Sequence, residues 1–247
     1  MTTTTITTKT PQGIADATFV VPDGAGPFPL VVLYPDAGGL RDATTKAAEH
    51  VAGMGYAVLA PNPFWRQQPY APFDLTTVWG DASERGRLMT MIGKVSAAEA
   101  CADTVALVAA IEDPRVRHER FATMGYCMGG RLAYIVATMV PERVVATAPI
   151  HAGGLVNDTP ESPHLLAPKL RAAMYFAVAD QDPSCTPEHQ AKLKAALDAA
   201  GVRSQIELHE GAKHGFGMSD APVYDAKATA RVWGRLEALF ADHLRAA

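Results

Sequence analysis

The chain of 247 residues has few cysteines and no excess of positive charge. Its three cysteines cannot all pair within one chain, and their spacing matches neither a disulfide framework nor a zinc motif; they are Cys101, Cys127 and Cys185. Lysine and arginine total 22 against 26 aspartates and glutamates, so there is no broad positive field for phosphate backbones. These absences predict free thiols in a reducing cytosol and argue against a nucleic-acid partner.

Long apolar runs are missing too. No run approaches the roughly 20 residues of a membrane span, and the threonine-rich segment 1–10 lacks the apolar core and cleavage site of a secretory signal. We therefore expect a cytoplasmic protein with no membrane partner. The 48% hydrophobic content is ample for a core, and we predict a single domain over residues 1–247, as a monomer or small homo-oligomer.

Short apolar runs rich in β-formers alternate with helical segments, which is typical of a mostly parallel sheet covered by helices on both faces. The predicted strands are Leu30–Tyr34, Ala57–Ala60, Phe121–Met124, Val144–Ala148, Ala172–Val178 and Gln205–His209, with a weaker Thr18–Val21 ahead of them. The predicted helices cover residues 42–54, 96–112, 129–140, 187–200 and 222–245. We interpret the proline- and aromatic-rich segment Pro61–Gly80 as a long loop over a site, or alternatively as a packed surface loop. The wider region 61–95 is a candidate lid.

The segment GYCMGG at residues 125–130 lies between a predicted strand and a predicted helix. It has the form G-x-C-x-G of a nucleophile elbow, whose flanking glycines let strand and helix approach closely. A helix N-terminus stabilises a thiolate, so Cys127 is the candidate nucleophile, and the Met128 amide is a candidate oxyanion donor. The alternative is a packing turn with an inert thiol; Cys101 and Cys185 are interpreted as structural.

A general base and its acid follow in the chain order that such a fold requires. His214 comes after the last predicted strand in a loop with Gly211 and Gly215, and it is the candidate base. The acid is Asp180 or Asp182, which follow the preceding strand. Position favours Asp182, because it is deeper in the loop and directly precedes proline.

The GYCMGG, ADQDP and KHGF segments together resemble the dienelactone hydrolase family. The resemblance implies an α/β-hydrolase fold and a Cys-His-Asp triad at Cys127, His214 and Asp182, since the family's aspartate occupies the second acidic position of this loop. It also implies an acidic residue that restrains the thiol, here Asp36 in place of the usual glutamate, and a second oxyanion amide at Ala37. Alternatively, Asp36 only caps a helix or shapes the turn.

Departures from the family concern substrate recognition. Members that act on dienelactone bind its carboxylate with arginines, one of them shortly after the catalytic histidine, where this chain has Gly217 and Met218. Arg85 or Arg87 is a candidate for the other arginine, although such residues are more often solvated helix charges. Two further residues are candidates for the substrate pocket. His151 follows a predicted strand, and alternatively it is a core histidine. Arg131 lies one helical turn beyond Cys127, and alternatively it pairs with a carboxylate.

These residues predict a hydrolase that cleaves a small ester or lactone through a thioester, with no cofactor and no metal. A broader carboxylesterase or thioesterase with the same triad is one alternative. A catalytically idle α/β-hydrolase domain that serves as a binding protein is another.

Overall fold

The computed structural model describes residues 1–71 and 73–244. It consists of one eight-stranded sheet with helices on both faces. The strands are β1 (Thr2–Thr10), β2 (Gly13–Val21), β3 (Phe28–Tyr34), β4 (Ala57–Pro61), β5 (Val116–Tyr126), β6 (Val144–Ile150), β7 (Ala173–Gln181) and β8 (Ser204–Lys213). The helices are α1 (Asp42–Gly53), α2 (Ala82–Gly93), α3 (Ala97–Ala109), α4 (Met128–Met139), α5 (Pro187–Ala199) and α6 (Ala226–His243).

The sheet has the strand order β1-β2-β4-β3-β5-β6-β7-β8. β1 pairs with β2 and β2 with β4 in antiparallel fashion, whereas the six strands from β4 to β8 in this order run parallel. The carboxyl ends of these parallel strands therefore lie along one edge of the sheet, where open α/β folds bind ligands. The predicted fold class is confirmed.

Two apolar layers enclose the central strands. Helices α3, α4 and α5 pack on one face of the sheet, and α1 and α6 pack on the other. Every residue of β6 is buried, as expected for a parallel strand covered on both faces. This double burial explains why the central strands are continuous apolar runs in the sequence.

The structure confirms the seven predicted strands and the five predicted helices, with shifts at their ends. Helix α5 begins and ends as its sequence indicates: the Thr186 side chain accepts from the His189 amide, Pro187 is the first helical residue and Gly201 follows with φ 66°. The predicted helix 222–245 and the single domain predicted over 1–247 both extend onto residues outside the described part.

Two elements were missed by sequence analysis. Strand β1 is built almost entirely of threonine, so its alternation carries no apolar signal. Helix α2 buries only Leu88 and Met91, so its apolar stripe is too thin to detect. The segment predicted as a loop contains a short 3₁₀ turn, Trp65–Gln67. Asp103 of α3 accepts a hydrogen bond from the Trp65 indole N–H at 2.9 Å and another from the Arg66 guanidinium. None of the helices in the described residues is long and apolar enough to cross a bilayer.

Helix α6 closes one face of the sheet through fully buried side chains that include Leu236. We predict that Leu236→Ala lowers the free energy of unfolding by about 2–5 kcal/mol, because it removes buried methyl groups and leaves a cavity. Urea denaturation followed by circular dichroism measures the change. Glu237→Ala, at the neighbouring exposed position, is the control and is expected to change stability by less than about 0.5 kcal/mol.

Candidate active site

Cys127 lies in a sharp turn between β5 and α4, with φ 54° and ψ −118°. A non-glycine residue in such a conformation costs about 1–3 kcal/mol, and it persists only where the surroundings enforce it. The enforcing contacts occur at two glycines. A Cβ at Gly125 would lie 2.3 Å from the Gly129 carbonyl oxygen, and a Cβ at Gly129 would lie 2.3 Å from the carbonyl oxygens of Tyr34 and Pro35.

The two predicted oxyanion donors belong to segments that meet at this turn. Met128 is the first residue of α4, and the first amides of a helix have no partner within it. Ala37 is buried in the loop after β3, whose beginning packs against Gly129. Both segments lie at the carboxyl edge of the sheet beside Cys127, and the oxyanion role of the two amides stays a prediction.

His214 directly follows β8, and its ring is held from one side by Asp182. His214 Nδ1 lies 2.7 Å from Asp182 Oδ2. The Asp182 side chain is almost fully buried, whereas 30% of the His214 side chain is exposed. The Cys127 side chain also interacts with this ring and contributes to its pKa. The structure therefore brings Cys127, His214 and Asp182 together in a row.

The charges of this row stabilise one another. Burial lowers the pKa of His214, but the hydrogen bonds to Asp182 and to Cys127 outweigh burial and raise that pKa to about 10. Burial also acts to raise the pKa of Asp182, yet the hydrogen bonds from His214 and Ser184 hold it below its usual value. The arrangement favours an imidazolium beside the Asp182 carboxylate.

Asp180, the other carboxylate of the loop after β7, has a different partner. Its Oδ2 accepts a hydrogen bond from the Gly211 amide at 3.1 Å, and the residue is exposed. Gly211 has φ 74°, so Asp180 helps to hold an irregular part of β8. Of the two candidate acids, only Asp182 bonds to the imidazole.

Ser184 is a contact of the site that sequence analysis missed. Its hydroxyl donates to Asp182 Oδ1 at 2.6 Å, its amide donates to the same oxygen at 2.9 Å, and its Oγ lies 3.4 Å from His214 Nδ1. A Cβ at Gly153 would lie 2.7 Å from that Oγ, so the glycine leaves room for the hydroxyl. The sequence signal was the D-P-S order, since an aspartate readily bonds the amide two residues ahead of it.

Asp36 lies in the predicted loop, and its carboxylate accepts hydrogen bonds from Arg41 and from the Gly38 amide. Arg41 Nη1 and Nη2 donate to its two carboxylate oxygens at 2.6 and 3.0 Å, and the Gly38 amide donates at 2.9 Å. Arg41 also bonds both oxygens of Asp220 at 2.7 and 2.9 Å. Asp36 therefore shapes its turn, as the alternative interpretation has it. Its gating of Cys127 stays a prediction.

His151 lies behind the catalytic row rather than in an open pocket. It is 1% exposed, with ring centroids 5.3 Å from those of His214 and Phe216 and 5.7 Å from that of Tyr126. Neither ring nitrogen has a hydrogen-bond partner among the described residues. Burial lowers the pKa of His151 to about 3, so the ring is neutral. The structure therefore shows a buried histidine covered by aromatic rings, and its contact with substrate stays a prediction.

The three candidate arginines lie in different surroundings. Arg85 donates to the Trp79 carbonyl at 3.0 Å on the surface of α2. Arg87 pairs with Glu84 and stacks over the Phe73 ring at 3.7 Å. Arg131 is half-buried and lies near Gly154. It forms no ion pair within the described residues, so the structure does not show the carboxylate partner suggested for it. Of the three, only Arg87 lines the cavity near the site.

A cavity of about 590 Å³ opens between α2, α3 and the end of β4. Neither Cys127 nor His214 is part of its wall. Its wall does include Tyr70, Met91 and Val95, which pack in the same apolar cluster as Cys127 and Met128. The cavity therefore borders the apolar cluster that packs against the nucleophile.

Known proteins resemble this chain along nearly its whole length. It is 28% identical over 247 residues to a Synechocystis protein provisionally named carboxymethylenebutenolidase, covering 98% of both chains. It is 27% identical over 205 residues to carboxymethylenebutenolidase 1 of Cupriavidus pinatubonensis, covering 81% of this chain and 80% of that protein.

Solved structures share the fold. One from Klebsiella pneumoniae, provisionally described as a dienelactone hydrolase, superposes with a TM-score of 0.82 at 22% identity, covering 98% of this chain and 99% of that one. A dienelactone hydrolase-like promiscuous phosphotriesterase from metagenomic libraries superposes with a TM-score of 0.79 at 23% identity, covering 98% of both chains. At these identities the likeness concerns the fold. Since the model of the dienelactone hydrolase family also matches residues 15–244, the chain belongs to the dienelactone hydrolase family.

Proposed function

We propose that the chain hydrolyses a small, uncharged ester or lactone through a thioester formed on Cys127. Membership of the family makes it a hydrolase of carboxylic esters or lactones. The observation that carries the finer proposal is the 2.7 Å contact between Asp182 and His214, with the same imidazole beside Cys127 in its strained turn. A nucleophile, a base and an orienting acid in this order are the parts that acyl transfer requires.

In the first half of the reaction, the Cys127 thiolate attacks the carbonyl carbon of the substrate. The amides of Met128 and Ala37 donate to the oxygen on which negative charge develops. When the tetrahedral species collapses, the carbon–oxygen bond to the leaving group breaks, and the His214 imidazolium gives its proton to the leaving oxygen. Asp182 stabilises the imidazolium and fixes its tautomer.

In the second half, His214 is neutral and accepts a proton from water as that water attacks the thioester. The carbon–sulfur bond then breaks, the acid product leaves, and the thiolate returns beside the imidazolium. A thiolate suits lactones, activated esters and thioesters, because their leaving groups need little assistance.

The surroundings of His214 support an uncharged substrate. Met218 is 1% exposed, and a Cβ at Gly217 would lie 3.1 Å from the Tyr126 ring. Neither position supplies a guanidinium for a carboxylate. Arg41 is close in the fold, but two carboxylates already bind its charge. Arg41 is therefore not free to bind a carboxylate of the substrate.

We predict that Cys127→Ala abolishes hydrolysis, because no thioester can form. A panel of enol lactones and simple aryl esters measures the activity, and a mass increase on Cys127 during turnover identifies the acyl-enzyme. Cys185→Ala is the matched control and is expected to retain full turnover. Comparable rates across the whole panel would favour a broad esterase over a lactone hydrolase.

Rapid alkylation of Cys127 near neutral pH is expected, with at least a tenfold loss of rate in His214→Ala, since the imidazolium stabilises the thiolate. Iodoacetamide labelling followed by peptide mass spectrometry measures the rate at each cysteine. Cys101 and Cys185 are buried and serve as internal references. Equal labelling of the wild type and the variant would indicate an idle domain.

Ser184→Ala is expected to lower kcat about tenfold while KM changes little, because a hydrogen bond to a charged group contributes about 1.5–3 kcal/mol. The lost bond orients Asp182 and does not touch the substrate. Steady-state kinetics on the best lactone measure the effect. Thr186→Ala is the control, because it removes a hydroxyl that caps α5 in the same loop. This variant should leave kcat unchanged. An equal loss of kcat in both variants would indicate that the loop is damaged and that the Ser184 bond has no specific role.

The raised pKa of His214 predicts a pH-dependent contribution to stability. Protonation is favoured in the folded state, so the stabilising effect is complete below about pH 6.5 and is lost as the pH rises through about 10. The stability gap between the wild type and His214→Gln should therefore shrink from pH 6.5 towards pH 10. Urea denaturation at a series of pH values measures the gap, and a gap that stays constant would contradict the shift.

A further inference from the structure

Strand β1 is an edge of the sheet without the usual protection. Among the residues that the structure describes, it is the terminal strand and pairs only with β2. The pairing runs through nine consecutive residue pairs without a shift in register. The strand contains no proline and one charged residue, Lys9. Natural sheets block exposed edges with charges, prolines, bulges or short strands, since unpaired backbone groups invite a further strand.

The opposite edge shows that protection. Strand β8 contains Gly211 at φ 74°, and its register against β7 shifts near Gln181. Glu210 and Lys213 place charges of both signs along it. The contrast between the two edges of one sheet marks β1 as the edge that is suited to pairing.

We propose that β1 pairs antiparallel with β1 of a second copy of this chain, which joins the two sheets across a two-fold axis at Ile6. A two-fold axis perpendicular to the sheet keeps each side chain on the same face in both copies. Ile6 is the single apolar residue among the nine of β1, and it is half-buried on the face that α3 covers. With the axis at this position, the two Ile6 side chains contact each other rather than water.

The same register brings together two charges that lack partners. Lys9 lies three residues from Ile6, so it falls opposite Thr3 of the second copy. The Thr3 hydroxyl bonds Glu49 Oε1 of α1 at 3.5 Å. Opposite residues have Cβ atoms about 5 Å apart, which lets the lysine reach Glu49 of the second copy. Within residues 1–71 and 73–244, neither Lys9 nor Glu49 forms an ion pair. The symmetry gives two such pairs.

The remaining cross-strand neighbours are compatible with the arrangement. Thr5 falls opposite Thr7, Thr4 opposite Thr8 and Thr2 opposite Thr10, all as threonine pairs. Threonine has a high β-propensity, and paired hydroxyls hydrogen-bond across strands. No like charges face each other, because each Lys9 is distant from the axis.

Sedimentation velocity over a series from low to high micromolar protein tests the proposal, with any purification tag placed at the C-terminus. The wild type should reach twice the 26.2 kDa of the chain. Lys9→Glu should raise the dissociation constant about tenfold, since it places two carboxylates together at each end. The double variant Lys9→Glu, Glu49→Lys should restore dimerisation, because it exchanges the two charges.

Leu208→Lys introduces a charge on the exposed face of β8 and should leave the dimer unchanged. Hydrogen exchange provides a second measurement: the β1 amides that point away from β2 should gain protection as protein concentration rises. A wild type that stays monomeric, a dimer insensitive to Lys9→Glu, or a charge exchange that fails to restore association would each overturn the proposal.

Discussion

The contact between the first turn of α4 and the end of β3 sets the geometry of the site. Only glycine at position 129 lets the helix approach the carbonyl oxygens of Tyr34 and Pro35, and only glycine at position 125 fits beneath the helix. This approach fixes the turn at Cys127 and places the loop after β3 beside it. The strain in one residue is thereby offset by the packing of two elements on a rigid sheet.

Two polar networks connect the loops at this edge. One joins the loop after β7 to that after β8 through Ser184, Asp182 and His214. The other runs from Asp36 through Arg41 to Asp220 and joins the loop after β3 to the segment beyond His214. Each charged group in these networks has a partner of opposite charge. All of them are partly or fully buried except Asp220, which is more exposed. Loops from different strands thus share one electrostatic framework, in which His214 favours its charged form.

The parts of the fold that sequence analysis found are those that burial makes visible. A strand covered on both faces is a continuous apolar run, which is why β3 to β7 could be predicted. Strand β1 exposes alternate threonines to solvent, and α2 packs only two side chains in its apolar face, so neither is distinguishable from a loop. Hydrophobic periodicity in a sequence reflects how a segment is buried, so a weakly buried segment has too little periodicity to be predicted.

The sequence by itself determined which residue types stand at the carboxyl ends of the parallel strands, and in which order: a cysteine between glycines, then a pair of aspartates, then a histidine. Local backbone rules suffice for that, because an elbow and a strand-to-loop junction are short-range features. Tertiary structure alone decided the partners. It paired Arg41 with Asp220, enclosed His151 among three rings, and placed His214 on Asp182. Such contacts join segments whose separation and side-chain direction depend on how helices and strands pack, which no local pattern encodes.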